Sequence, residues 1–186
     1  MPDRPKKRSV TCYNLIFPVW LLFSPWGLPA LAVFGFIGVP IMLIGNYAVD
    51  WLVTALGMRL AHVDNIKDRV WSVSTRVWLL GYAADALSSL PLLVIMMDPI
   101  KEPTRQEWFY QNIERPICYG NPYASPLALL ILASCLLLAG VLIYFFNMKW
   151  GLKNAKLEQR EKRRVALTLA LLTMPYTFLI PTSWFY

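Results

Sequence analysis

The sequence predicts an all-α polytopic membrane protein with about five transmembrane helices, and two observations favour this fold class. Of the 186 residues, 57% are hydrophobic and only 16% are charged, whereas soluble domains carry about 25% charged residues. The charges are also concentrated in short runs that alternate with apolar segments of bilayer length. Because backbone groups in lipid must be hydrogen-bonded within the chain, helices are the expected spanning elements.

The charged runs divide the chain into a tail and one transmembrane domain. Residues 1–12 form a basic tail, and residues 13–186 form a single helical bundle. The five spans are predicted at about 13–34, 39–60, 77–97, 126–147 and 165–186.

The first span contains residues that interrupt a straight helix. Pro25 and Pro29 fall within it, and residues 35–40 (GFIGVP) predict the turn to the second span. We therefore expect this span either to be kinked or to form a re-entrant hairpin. Residues 6–32 also have the basic, apolar and A-x-A order of a signal peptide, but the apolar run continues for a further whole span, which argues against cleavage.

Local patterns predict helices in the connecting segments. Apolar residues at helical spacing in 61–76 indicate a short amphipathic helix that lies in the membrane interface. Thr104 and Glu107 fit a capping box, so a short helix is expected to start there and to end at Pro116. The basic segment 148–164 is expected to prolong the fourth helix into the cytoplasm.

The three cysteines and the single histidine give no indication of a metal or redox site. Cys12 adjoins the basic tail, Cys118 lies in a loop and Cys135 lies within a span. No two of them are placed to pair, so we expect no intrachain disulfide, and we expect no cofactor. His62, alone near the membrane surface, is expected to be structural rather than a ligand.

The distribution of positive charge predicts the orientation of the chain. The tail and the segments 59–76 and 148–164 hold fifteen of the eighteen Lys and Arg, and 98–125 holds the other three. With five spans, the positive-inside rule places the N-terminus in the cytoplasm and the C-terminus outside, and we expect the plasma membrane. The net charge of +7 is explained by the Lys and Arg of the cytoplasmic segments. No aromatic-basic module indicates nucleic-acid binding.

The basic segment after the fourth span supplies candidates for anionic-lipid binding. Positive side chains on the cytoplasmic surface are attracted to anionic headgroups, and the simpler interpretation is that they only anchor the chain by the positive-inside rule. The candidate residues are Lys149, Lys153, Lys156, Arg160, Lys162, Arg163 and Arg164.

Two carboxylates near the bilayer midplane are the candidate functional site. Asp50 and Asp85 each lie about 14 Å from the inner end of a span, at about 1.5 Å per residue, in a core about 30 Å thick. A charge at that depth costs at least about 2.5 kcal/mol, so we expect one carboxyl to be protonated or a cation to lie between them. The residues expected around the pair are Asn46, Thr54, Tyr82, Ser88 and Ser89.

This pair predicts a channel or transporter, or a pore subunit, that moves protons or small cations as a homo-oligomer. In the structural alternative, each carboxyl is neutral or hydrogen-bonded and holds helices together. A different class is a non-catalytic structural or accessory subunit of a larger membrane complex, with other membrane proteins as partners. An enzyme is not expected, because nucleophile–base motifs are absent; an intramembrane aspartyl-type hydrolase is the one form that paired aspartates suggest.

Overall fold

The computed structural model describes residues 34–97, 103–181 and 184, and every element in these ranges is helical. The predicted tail and the predicted first span, apart from Phe34, lie outside the described residues. Six α-helices are α1 (Val39–Leu60), α2 (Ile66–Met96), α3 (Pro103–Phe109), α4 (Arg115–Cys118), α5 (Pro126–Lys149) and α6 (Gln159–Thr173). Short π- or 3₁₀-helical turns occupy Phe34–Gly38, Tyr110–Glu114, Pro122–Ala124, Gly151–Ala155 and Tyr176–Leu179.

Three helical segments are long and apolar enough to cross a membrane. They are Phe36–Leu60, Ile66–Ile95 and Pro126–Lys149, and they contain the second, third and fourth predicted spans. The prediction of a helical protein that fits an integral membrane location is therefore confirmed.

The turn predicted at 35–40 is wrong. Phe34–Gly38 is a π-helical turn that leads without a break into α1, and Pro40 lies in the first turn of α1. A proline is tolerated there because the first amide groups of an α-helix have no partner within the helix.

The amphipathic helix predicted within 61–76 is not a separate element, because α2 runs as one helix from Ile66 to Met96. No glycine or proline occurs in its first four turns to end it. Val70, Val73 and Val77 are buried on one face. The apolar stripe therefore packs inside the bundle and continues into the predicted third span, instead of lying on the membrane surface.

The segment predicted to prolong the fourth helix ends it instead. α5 stops at Lys149, and the turn Gly151–Ala155 packs on α2. The next helix, α6, begins inside the predicted basic segment because Glu158 and Glu161 form a capping box. In it, the Glu158 backbone N–H donates to Glu161 Oε2 over 2.8 Å.

The predicted fifth span, 165–186, is not one continuous helix. α6 has 15 residues and ends at Thr173, two positions before Pro175, and a proline disfavours helical geometry in the residue before it. A 3₁₀ turn at Tyr176–Leu179 follows. At about 1.5 Å per residue α6 is about 22 Å long, which is shorter than a bilayer core of about 30 Å.

The segment before α5 is helical, as its capping pattern predicts, but Pro116 does not end it. The π turn after α3 leads directly into α4, where Pro116 occupies the first turn. Ser125 then fixes the start of α5. Its hydroxyl accepts the Ala128 N–H over 3.3 Å and donates to the Asn112 carbonyl over 2.5 Å.

The expectation of no intrachain disulfide is wrong. Cys118 is buried at the end of α4 and is disulfide-bonded, whereas Cys135 is free and buried within α5. The partner of Cys118 therefore lies outside the described residues. The sequence did not reveal this bond because pairing depends on the distance between cysteines in the fold, which their sequence spacing does not fix.

The four longest helices form a ring in which each helix packs on two neighbours. α1 packs on α2 and α6, and α5 packs on the same two helices. Arg69 of α2 donates through Nη1 to the carbonyl oxygens of Ala155 (3.2 Å) and Lys156 (2.9 Å). This contact places the basic segments 59–76 and 148–164 at one end of the bundle, which we call the basic end.

Two apolar clusters fill the bundle, one at the basic end and one at the opposite, far end. The basic-end cluster includes Met58, Val70, Val73, Val77, Ala84, Ile143, Leu152, Val165 and Leu169. The far-end cluster includes Leu92, Ile95, Ile113, Ile117, Leu132 and Cys135.

Gly57 allows α1 and α6 to pack closely. A Cβ atom at this position would lie 3.2 Å from Val165 Cα and 3.3 Å from Thr168 Cβ. Small residues are the usual means by which membrane helices approach each other at this distance. Gly45, on the same helix, has no other described residue within 4 Å of the equivalent position.

We expect Gly57→Val to destabilise the protein by about 1–3 kcal/mol, because the added methyl groups force α6 away from α1. The matched control is Gly45→Val, which faces open space and should change stability by less than about 0.5 kcal/mol. Thermal unfolding of both variants in detergent, followed by size-exclusion chromatography, measures the difference. Equal melting temperatures for the two variants would contradict the close α1–α6 contact.

Candidate functional site

Asp50 lies against the backbone of α2. The residue is only 4% exposed, and its Oδ2 atom is 3.5 Å from the position that a Cβ atom on Gly81 would occupy. The Asp50 carboxyl therefore packs on the turn of α2 that contains Gly81, at a distance where a Cβ atom would make an ordinary van der Waals contact.

Asp85 reaches the same region from α2 itself. It follows Gly81 by four residues, so the two share one helix face, and helical side chains lean back towards the N-terminal turn. Asp85 is partly buried. Both carboxylates that the sequence nominated therefore adjoin the turn of α2 that contains Gly81.

The Asp85 carboxyl is poorly satisfied. Its Oδ1 atom is buried and has no hydrogen-bond partner among the described residues. A buried polar atom without a partner costs about 1–3 kcal/mol, so the protein does not gain stability from this oxygen. This argues against the hydrogen-bonded form of the structural alternative and does not bear on the form in which the carboxyl is neutral.

The predicted hydroxyl neighbours donate to backbone carbonyls. Thr54 Oγ1 donates to the Asp50 carbonyl over 2.6 Å, and Ser88 Oγ donates to the Asp85 carbonyl over 3.0 Å. Ser89 Oγ donates to the Ala86 carbonyl over 2.9 Å. Each hydroxyl proton is thus used by its own helix and is not donated to either carboxylate.

Aromatic rings adjoin the pair where α1 meets α2. The Trp78 ring packs edge-on against Tyr82, at 5.3 Å between centroids, and against Tyr47 of α1, at 5.9 Å. Tyr82 and Asn46 are both half-buried. The predicted neighbour Tyr82 thus belongs to an aromatic contact between the two helices that carry the carboxylates.

The carboxylates lie between the two apolar clusters. Along α2, Asp85 and Ser88 fall after Ala84 of the basic-end cluster and before Leu92 of the far-end cluster. Along α1, Asp50 lies on the far side of Met58, a residue of the basic-end cluster. Apolar side chains therefore separate the pair from both ends of the bundle.

The donor set limits what the pair can bind. Within residues 34–97, 103–181 and 184, no group of three or more His, Cys, Asp and Glu is placed to hold a metal ion. Calcium takes six to eight oxygen ligands and magnesium requires an octahedral set. Two carboxylates without a third acidic, histidine or cysteine ligand among the described residues suit a proton better than a divalent cation.

The predicted lipid-binding residues are at the basic end, and six of the seven are exposed; Lys162 is half-buried. The segments 59–76 and 148–164 together carry eleven Lys and Arg against four carboxylates. Two of these carboxylates, Glu158 and Glu161, are engaged in the capping box of α6. The structure therefore forms one positively charged surface from two segments that are distant in the sequence.

Three residues that matter for the arrangement were not assigned a role from the sequence. Gly81 adjoins the Asp50 carboxyl, and Arg69 joins the two basic segments. Asn147, fully buried, donates through Nδ2 to the Ile143 carbonyl over 2.9 Å, while its Oδ1 has no partner among the described residues. The sequence did contain a signal for Asn147, because it is a polar residue at the end of a leucine-rich helix.

The fold and this pair of buried carboxylates define a helical membrane protein with an ionisable site inside its bundle. Comparison of the chain with protein-family models, with curated proteins and with solved structures found no match. The function is therefore argued from the site itself.

We expect Asp85→Leu to stabilise the protein by about 1–3 kcal/mol, because the substitution removes a buried oxygen that has no partner. Asp85→Asn keeps a buried oxygen at the same place and serves as the control, with little or no gain. Thermal unfolding of both variants in detergent provides the measurement. A loss of stability in Asp85→Leu would support the alternative in which the carboxyl holds the helices together.

Proposed function

We propose that this protein is a channel or transporter, or a pore subunit, that moves protons or small cations through the Asp50–Asp85 pair. The observation that carries the proposal is the Asp85 Oδ1 atom, which is buried and has no hydrogen-bond partner within the described part of the chain, one helical turn after the Gly81 position beside which the Asp50 carboxyl lies. A charge in the membrane core costs at least about 2.5 kcal/mol. Residues that cost stability at such a depth are most often retained for ion or proton movement.

A proton is the favoured species. Two neighbouring carboxylates in an apolar bundle do not both stay ionised, so one of them carries a proton that the other can accept. No group of three or more His, Cys, Asp and Glu among the described residues is placed to hold a metal ion, so a multivalent cation would lack a full set of charged ligands. A monovalent cation held between the carboxylates is the second species to be tested.

The apolar clusters suggest how such a site avoids a leak. Met58 and Ala84 belong to the cluster on the basic side of the pair, and Leu92 belongs to the cluster on the far side. Water reaches the carboxyls from one side only when one of these clusters opens. The proposed transport therefore proceeds by exposing the pair to the two sides in turn.

We expect Asp50→Asn and Asp85→Asn each to abolish proton flux into liposomes that contain the purified protein, because neither amide takes up a proton at neutral pH. Thr54→Val and Ser89→Ala are the controls, since their hydroxyls donate to backbone carbonyls, and both should retain the flux. A pH-sensitive dye under an imposed pH gradient reports protons, and sodium and potassium gradients test the cation alternative.

Undiminished flux in both Asn variants would refute the proposed site. A wild-type protein without flux that co-purifies with other chains would favour the second candidate, a structural or accessory subunit of a larger membrane complex. The exposed aromatic residues Trp108 (56%) and Tyr123 (57%) at the far end are the observation that supports such a partner surface. A discrete homo-oligomer without other chains would favour the channel.

The basic end is proposed to face the cytoplasm and its anionic lipids. Lys and Arg are enriched in cytoplasmic loops, and the plasma membrane is the proposed location. Disulfides persist in oxidising compartments, so the bonded Cys118 supports an extracytoplasmic position for the far end. Five spans would place the N-terminus in the cytoplasm and the C-terminus outside, whereas a bond from Cys118 to Cys12, the one cysteine besides the free Cys135, would place the N-terminus at the far side.

We expect a membrane-impermeant maleimide to label Tyr123→Cys in intact cells and to label Lys153→Cys only after permeabilisation. Both positions are exposed and lie at opposite ends of the bundle. Labelling of Lys153→Cys alone in intact cells would reverse the proposed orientation.

The partner of Cys118 tests the position of the N-terminus. Mass spectrometry of unreduced peptides identifies the cysteine that is bonded to Cys118. A bond to Cys12 within one chain requires both residues on the same side of the membrane. It would overturn the cytoplasmic N-terminus and favour the re-entrant form of residues 13–34.

A further inference from the structure

A groove lies at the basic end of α5, on the surface of the bundle. It is lined by Phe145, Phe146, Met148, Lys149 and Trp150 and has a volume of about 460 Å³. This volume falls within the range of about 300–1,000 Å³ that is typical of ligand pockets. Phe145 and Trp150 are 61% and 48% exposed, so the groove is open to the surroundings of the bundle.

The groove combines aromatic walls with one positive charge. Phe146 packs on Trp150 with 5.5 Å between ring centroids, and Lys149 Nζ lies 4.9 Å from the Trp150 centroid. A cation over a tryptophan ring is attracted by the negative face of the ring. No carboxylate among the described residues forms an ion pair with Lys149, so its charge is available to an anion.

The depth of the groove matches the boundary between headgroups and acyl chains. α5 has 24 residues and is therefore about 36 Å long, somewhat longer than a bilayer core of about 30 Å. Its last residue, Lys149, reaches the headgroup level, and Phe145 lies one turn deeper. Tryptophan is enriched at this boundary, and a lysine stem extends readily along an apolar surface to a charged headgroup.

We propose that this groove binds one anionic phospholipid from the leaflet at the basic end. Lys149 binds the headgroup phosphate, and Phe145 and Phe146 contact the first part of an acyl chain. The inference does not depend on proton transport. It deepens the proposed anionic-lipid role of the basic end by assigning one lipid to one place.

Charge complementarity selects this occupant. The segments 59–76 and 148–164 repel a second copy of the same positively charged surface and attract an anion. An apolar floor with a cation at its rim is the arrangement that fits an amphipathic anion. Lys153 is also exposed, but it lies on the following 3₁₀ turn and does not line the groove.

The test is native mass spectrometry of the full-length protein in detergent with added phosphatidylglycerol or phosphatidylcholine. We expect one phosphatidylglycerol to be retained in preference to phosphatidylcholine. Lys149→Gln should weaken that retention about tenfold, the loss expected for one charge-assisted hydrogen bond. Lys153→Gln makes the same charge change outside the groove and should stay within about twofold of wild type.

Equal losses in Lys149→Gln and Lys153→Gln would overturn the discrete site, and so would equal retention of the two lipids. A second measurement uses phosphatidylglycerol brominated on its acyl chain, which quenches nearby tryptophan fluorescence. The quenched fraction should fall in Trp150→Phe and remain in Trp71→Phe, which removes an exposed tryptophan from α2. Similar quenching in both variants would contradict an acyl chain at Trp150.

Discussion

The contact between α1 and α2 is the constraint on which the carboxylate site depends. It places the Asp50 carboxyl beside Gly81 of α2, 3.5 Å from the position that a Cβ atom would occupy there, and Asp85 leans over the same turn of α2. A Cβ atom at Gly81 would make only an ordinary van der Waals contact with Asp50, so the spacing of the two helices does not depend on the glycine. Because α1 and α5 both pack on α2 and α6, the ring closes only if each pair keeps its spacing.

The apolar clusters stabilise the interior of the bundle, whereas the carboxylates destabilise it. Apolar clusters at both ends bury side chains such as Met58, Val77 and Leu132, and close helix contacts such as that at Gly57 hold the ring together. The layer between the clusters contains ionisable groups that cost free energy. The carboxylates depend on packing elsewhere to be kept in place, as is usual for strained or poorly satisfied functional groups.

The sequence predicted those features that length, composition and helical periodicity decide. The spans at 39–60 and 126–147 match α1 and α5 closely, and helical spacing brought Asp50 and Asp85 together. It did not predict that 66–76 belongs to α2, because a valine stripe suits an interfacial helix and a packed helix equally well. Only the contact with Gly151–Ala155 decides between them. The sequence spacing of Asp50 and Thr54 also did not reveal that the Thr54 hydroxyl donates to a carbonyl of its own helix. The hydrogen-bond partner of that hydroxyl depends on the side-chain rotamer, which the spacing does not determine.

The length of α2 has a mechanical consequence. Its 31 residues extend over about 46 Å, but Pro91 lies inside the helix and removes one of its hydrogen bonds, so the segment after Pro91 can bend relative to the segment before it. Arg69 fastens the first turn to the loop before α6 and Asp85 lies between this contact and Pro91, whereas Ile95 is embedded in the far-end cluster beyond Pro91. A tilt imposed at the basic end therefore moves Asp85 directly, while a movement of the far end reaches Asp85 only through the bend at Pro91.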